Sequence, residues 1–410
     1  MSFKVTPDFV RQIPKTDLHL HLDGSIRLST LIEIARHDKI NLPSYEEAGL
    51  RELVFKSSYA NLPEYLQGFT YTCAALQTPE NLERAAYELA QDNISEGVRY
   101  VEVRFAPQLH CRQGFSIEQV VRAVCRGLEM AKSEHNSQPF VRSGDDIPFE
   151  FGLIACALRS FNEHMSPYYE QILHVMSYAP KKEVFAAASL EMARAAADLA
   201  HREGLPVVGF DLAGEEAGYP AESHRAAYHY AHSHFIKKTV HAGEAYGPES
   251  IFQAITECYA NRIGHGTFLF ATDMVRDPAI GDPQAYVRSL AEYIASQRIT
   301  IEVCLTSNTQ TIPAIKTIAD HPLRQMLKQN LSVSICTDNR LVSDTTVSKE
   351  LLRACEGISM TPHHFRNMVV AGFKGSFFPG SYNEKRAYVR RAIDRYEKLE
   401  KALLGFHTGY

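Results

Sequence analysis

The sequence predicts an α/β fold, a (β/α)8 TIM-type barrel with additional helices after strand one and at the C-terminus. Three features carry that expectation: eight short strand-like segments, helical spacing between most of them, and reactive side chains placed where strands end. No polar low-complexity stretch divides the chain, so residues 1–410 are read as a single domain.

The first strand lies within Lys15–Ser25, KTDLHLHLDGS. Its alternation sends Asp17, His19 and His21 to one face and Leu18, Leu20 and Leu22 to the other, so two imidazoles face the same way and can chelate a metal. Arg27–His37 then spaces Leu28, Leu31, Ile32 and Ile34 as a helix does. Between Asn41 and Thr78 the pattern turns irregular, mixing Pro43 and Pro63 with Phe55, Tyr59, Tyr65, Phe69 and Tyr71. Such an insertion either covers a pocket or packs as an appendage.

Pro79–Glu96 reads as an amphipathic helix and Val98–Phe105, VRYVEVRF, as an alternating strand with Tyr100, Glu102 and Arg104 on one face. The cycle repeats through helix Ile117–Ser133, strand Phe149–Leu158, helix Ser189–Glu203 and strand Pro206–Leu212. It continues with helix His224–His234, strand Lys238–His241, helix Ile251–Tyr259 and strand Arg262–His265. Helix Pro283–Gln297, strand Thr300–Leu305, helix Pro322–Gln329 and strand Ser332–Thr337 complete the set. Thr346–Tyr410 adds helices, of which Arg386–Leu404 is the clearest.

Composition excludes several classes of function. The chain is 45% hydrophobic and 22% charged, and no apolar run is long enough to span a bilayer. A net charge of −5 without a basic stripe argues against nucleic acid as partner and for a small molecule. The N-terminal MSFKVTPDFVRQIPK has no apolar signal core, from which a cytoplasmic location is expected. Eight dispersed cysteines form no CxxC pair and read as buried thiols.

In such a barrel the C-terminal ends of the strands share one mouth. Strand one ends in His19 and His21, strand four in Asp211 and Gly214, strand five in His241 and Glu244, strand six in His265 and strand eight in Asp338. Three histidines and an aspartate suit a zinc site with room for water. Glu244, three residues after His241 in HAGE, would stand beside the metal as a proton shuttle. Singly these residues have duller explanations: a satisfied core histidine, a helix cap for Glu244 before Pro248, a turn residue for Asp338. Their joint placement at strand ends favours the functional reading.

At these residues the chain resembles the adenosine deaminase family of metal-dependent barrel hydrolases. The resemblance runs nearly end to end through TDLHLHLDGS, VRYVEVRFAP, GFDLAGEE, VHAGE, NRIGHG, TSN and CTDN, in the family's order. It implies one zinc ion per chain held by His19, His21, His241 and Asp338, Glu244 as proton donor to the purine ring, and His265 beside the attacking water. With Asp338, His265 would orient that water and receive its proton. It also implies that the Gly214 amide meets the purine and Asp23 the sugar. The expected reaction is hydrolytic deamination of adenosine or 2′-deoxyadenosine, with water activated by the metal adding at C6. The PCxxC signature of the cysteine-ligated deaminases is absent.

One position departs from the family pattern, which carries a second aspartate where this chain has Asn339. In the family that position faces purine N7, an acceptor, to which an asparagine amide would donate without needing to be protonated. Relatives act on adenine, adenosine phosphates and aminodeoxyfutalosine, and a binding paralogue would show damaged ligands, whereas all are intact here. A phosphate would need a cationic cradle, for which Arg27, Arg104, Arg159 and Arg340 are the nearest candidates by position.

Overall fold

The computed structural model describes residues 5–405. Eight strands, β1 (Lys15–His21), β2 (Val98–Phe105), β3 (Glu150–Leu158), β4 (Val207–Ala213), β5 (Lys237–Ala242), β6 (Arg262–His265), β7 (Thr300–Val303) and β8 (Val333–Ile335), lie in sequential order. Every adjacent pair is parallel, with helices between successive strands. The sheet closes just beyond β8: Asp338 N donates to His19 O at 2.8 Å, and His21 N donates to Asp338 O at 2.8 Å. The seam of the barrel is therefore the strand end that carries the two histidines.

Strands β1 and β2 are buried along their whole length, as a parallel sheet wrapped by helices requires. Outside, amphipathic helices cover the sheet. Pro79–Ser95 starts at a Thr78 cap and buries Leu82, Ala85, Ala86, Leu89 and Ala90, and Ile117–Asn136 starts at a Ser116/Gln119 capping box. Inside, the barrel holds a column of charge in place of the usual branched aliphatic layers. Arg262 joins Glu102 to Glu302 at the lower end, and Arg104 donates to Glu302 and Asp211, each at 2.8 Å. All five side chains are buried, which only such mutual pairing makes tolerable.

Several boundaries differ from the sequence reading. Helix Lys181–His201 begins well before the expected Ser189, because Val184, Phe185 and Ala188 already pack inward. β7 and β8 are shorter than expected: Leu305–Thr311 turns helical at once, and the chain after Ile335 leaves the ladder. Those early exits let Asp338 face the mouth and bring Ser307 and Asn308 behind it, against Asp338 and His265. The irregular insertion forms short helices Glu47–Leu53, Leu62–Leu66 and Gly68–Ala75, the last two beside that mouth. The C-terminal helices Pro362–Gly375 and Tyr382–Leu404 cover the opposite end, where Phe377 lies 3.6 Å from the Arg262 guanidinium, while Val347–Gly357 packs beside Leu305–Thr311, its Glu350 accepting from Thr306 N at 3.0 Å.

Candidate active site

The strand ends bring His19, His21, His241, His265 and Asp338 into one buried cluster. His19 Nε2 and His21 Nε2 each lie 3.5 Å from Asp338 Oδ1, and His21 Nε2 lies 3.2 Å from His241 Nε2. Two ligands about 2.0–2.1 Å from an ion at tetrahedral angles stand about 3.3 Å apart, so this spacing fits zinc. His19 Nε2 is buried without a hydrogen-bond partner, as an atom reserved for a ligand would be. The residues therefore fit the group. A second set, His19, His241, His265 and Asp338, also converges, with ligand atoms within 4.8 Å of one another.

Below the histidines the charged column sets their orientation. Glu302 Oε2 meets His19 Nδ1 at 2.8 Å and Asp211 Oδ2 meets His241 Nδ1 at 3.1 Å, which fixes each proton on Nδ1 and leaves Nε2 as an electron-pair donor. Burial holds the His241 imidazole below its ordinary range despite Asp211. Asp338 is ionised: burial opposes this, but the imidazoles of His19, His265 and His21 around it keep its carboxyl well below the usual range. Ser307 Oγ donates to its other oxygen at 2.6 Å. Both His265 and Asp338 have left-handed backbones, φ 63° and 61°, a strain of about 1–2 kcal/mol each that the surrounding bonds must hold.

Glu244 does not cap the helix Pro248–Thr256, whose N-cap is Gly247. Its carboxyl is pushed up to about 8, first by burial and then by the charges of Asp338 and Glu216, so it is a neutral acid at neutral pH. Its Oε1 lies 3.7 Å from His265 Nε2. Glu216, in the GEE of GFDLAGEE, was not singled out by sequence. Its buried carboxylate accepts from the backbone N–H groups of Gly243, Glu244, Ala245 and Tyr246 at 2.6–3.1 Å and thus holds the loop that carries Glu244. The only sequence signal for it is a carboxylate two positions after Gly214.

Asp23, Gly214 and Asn339 line the same cavity, of about 870 Å³. Asp23 is pushed up to about 7 by burial, and Gly214 has φ 96°, a backbone conformation that disfavours side chains. Leu62, Tyr65, Leu66, Phe69 and Cys73 of the insertion form one apolar wall, so the insertion covers a pocket. None of the four arginines reaches it. Arg27 pairs with Asp92, Arg104 with Asp211 and Glu302, and Arg340 with Glu96, while Arg159 donates to the carbonyls of Tyr219 and His241 at 2.5 Å.

No described helix is long and apolar enough to cross a membrane. The sequence model of the family described as adenosine deaminase matches residues 14–395. An adenosine deaminase of Mycobacterium marinum is 34% identical over 397 residues, 96% of this chain and 98% of the relative. A probable adenosine deaminase of Dictyostelium discoideum is 30% identical across 95% of this chain, which spans only 44% of that protein's length. Among solved structures, an amidohydrolase with bound zinc from Burkholderia ambifaria superposes with a TM-score of 0.75 at 18% identity, covering 98% of this chain and 97% of its own. An N6-mAMP deaminase of Arabidopsis superposes at 0.71 with 23% identity, covering 94% and 99%. The chain belongs to the adenosine deaminase family of hydrolytic aminohydrolases.

Proposed function

We propose that this chain hydrolyses the 6-amino group of an uncharged adenine nucleoside, adenosine or 2′-deoxyadenosine, using one zinc ion held by His19, His21, His241 and Asp338. The observation that carries the nucleoside reading is charge: among the described residues no Lys or Arg lines the cavity. A phosphate ester brings nearly two negative charges and is recognised by arginine or lysine. Here the outer wall carries Glu163, Glu170 and Glu215 instead. Bare adenine would leave the apolar wall and Asp23 without an occupant, and the cavity is near the upper end of the roughly 300–1,000 Å³ found for small-molecule sites.

A divalent ion in the cradle would lower the pKa of a coordinated water toward about 7. The chain's own residues supply the rest. Glu244, neutral and buried, gives its proton to purine N1 as charge builds there when C6 gains oxygen. Of the two protons that the added water brings, one passes by way of Asp338 to the 6-amino nitrogen, which leaves as ammonia while C6 becomes a carbonyl, and the other restores Glu244. Asp23 is assigned to the sugar hydroxyls, the Gly214 amide and Asn339 to the purine edge.

The test is a panel of adenosine, 2′-deoxyadenosine, adenine, AMP and aminodeoxyfutalosine, following ultraviolet absorbance and ammonia. The two nucleosides should give the highest kcat/KM. Preference for AMP would overturn the charge argument.

A further inference from the structure

Three histidines of the cluster, His19, His241 and His265, each have a neighbour that decides which ring nitrogen carries hydrogen. For His265 that neighbour is Asn308, whose Nδ2 lies 3.1 Å from His265 Nδ1. An amide can present either its donor or its acceptor end, and here the choice is dictated from further away. Asn308 Oδ1 lies 3.2 Å from His321 Nε2, and Leu323 N donates to His321 Nδ1 at 3.0 Å. A backbone N–H can only donate, so His321 Nδ1 accepts. His321 is 2% exposed, and burial pulls its pKa down to about 3, so the ring is neutral and its hydrogen sits on Nε2. That hydrogen requires Asn308 Oδ1 as its acceptor. Asn308 Nδ2 then points at His265 Nδ1 as a donor.

Resting on the deaminase reading above, we infer that His265 acts as a neutral hydrogen-bond donor from Nε2, fixed in that tautomer by Asn308 and His321, and does not take the proton of the attacking water. With Nδ1 occupied by an incoming hydrogen bond, the neutral ring must carry its own hydrogen on Nε2, the nitrogen on the Glu244 side of the cavity. An imidazolium would need Asn308 to turn its oxygen toward His265, which would bring its NH2 against the Nε2–H of His321. This is the reverse of His19 and His241, whose Nδ1 atoms face the carboxylates of Glu302 and Asp211. The relay therefore sorts the histidines into two electron-pair donors and one hydrogen donor. It also decides between the two converging quartets, because a ring with hydrogen on Nε2 cannot ligate through that atom. Asn308 and His321 are positioning residues.

The test reads the tautomer directly, by long-range proton–nitrogen spectra of protein labelled with 15N-histidine, metal-free and zinc-loaded. Signals of His265 are identified by their loss in His265→Gln. A pyridine-type Nδ1 and a pyrrole-type Nε2 are expected in both states; a pyrrole-type Nδ1 or an imidazolium overturns the inference. Asn308→Asp, which replaces the donor by an acceptor, should invert that pattern and lower kcat at least tenfold with little change in KM. His321→Ala should lower kcat as well, and His321→Gln, which restores an N–H to Asn308 Oδ1, should recover most of the loss. Unchanged spectra and kcat in Asn308→Asp would overturn the relay. The wild-type spectra need no substrate, so failure to deaminate any purine would defeat the function and leave the tautomer result standing.

Discussion

Asn339 Nδ2 donates to the Tyr65 hydroxyl at 2.9 Å, which ties the insertion after β1 to the loop after β8. Tyr65 also meets Ser343 Oγ at 2.8 Å, so it has a partner for its own hydrogen and can accept from the amide. One Nδ2 hydrogen is thereby anchored and the second is left for a ring acceptor. Gly24 makes room for this, since a Cβ there would lie 1.8 Å from Asn339 Oδ1. Asn339→Leu should raise KM and lower kcat/KM for adenosine by about 1–3 kcal/mol, the worth of a hydrogen bond lost from a buried site. The purine analogue lacking N7 should show no further loss in that variant. Equal kinetics of wild type and Asn339→Leu on adenosine would remove the N7 contact.

Glu244 sets a pH limit. A carboxyl pushed up to about 8 is protonated below that pH and loses its proton above it, so the donor form is present at neutral pH. The kcat/KM profile should therefore fall as pH rises through about 8. Glu244→Gln should remove that limb and reduce kcat by roughly 10²–10⁴-fold while leaving zinc content unchanged. An undiminished rate in the variant would show that the ring proton comes from elsewhere.

Glu216 supports Glu244 in two ways, by gathering the backbone N–H groups of residues 243–246 and by placing a charge that raises the Glu244 pKa. Glu216→Gln keeps the shape but turns an N–H toward donors and removes the charge. It should cost about 3 kcal/mol in denaturant unfolding. The alkaline limb of kcat/KM should also move to lower pH. A shifted limb separates a tuning role from scaffolding alone, which would change stability only.

How much of this was legible in the sequence follows from what alternation and spacing can encode. β6 and the helix Pro283–Gln297 lie where the sequence placed them, because period and punctuation agree there. The grouping of His19, His21, His241, His265 and Asp338 needed only strand ends sharing one rim. What alternation could not reveal is who pairs with whom. Glu102 and Arg104 share a face of β2 in the sequence, but that they build a charged column with Asp211, Arg262 and Glu302 depends on barrel closure. Glu216, Asn308 and His321 escaped for the same reason: each acts through another residue, and nothing in its own neighbourhood marks it as reactive. Arg27, Arg104, Arg159 and Arg340 were close to the motifs in sequence but are committed to partners in space.

Metal removal gives a prediction for stability as well as activity. The buried cluster offers three imidazoles and a carboxylate at zinc-like spacing, and an ion that binds only the folded state stabilises it by mass action. Chelation should abolish activity and lower Tm. Zinc at about 100 times its Kd should restore activity and about 2.7 kcal/mol. His241→Ala should remove the zinc-dependent rise in Tm. A Tm indifferent to zinc in the wild type would count against the cradle.

Arg104 is the residue on which the cradle's orientation depends without touching it. It is fully buried and neutralises both Asp211 and Glu302, the two carboxylates that orient His241 and His19. In Arg104→Met a side chain of similar length remains, but two buried carboxylates lose their shared cation. Breaking such a pairing from one side costs about 3–5 kcal/mol, far more than a packing change of that size. The carboxylates would then draw protons, their hydrogen bonds to the imidazoles would weaken, and zinc affinity should fall with stability. Denaturant unfolding and zinc titration of Arg104→Met should show both losses, whereas reduced stability with unaltered zinc affinity would mean that the column supports the barrel and not the histidines.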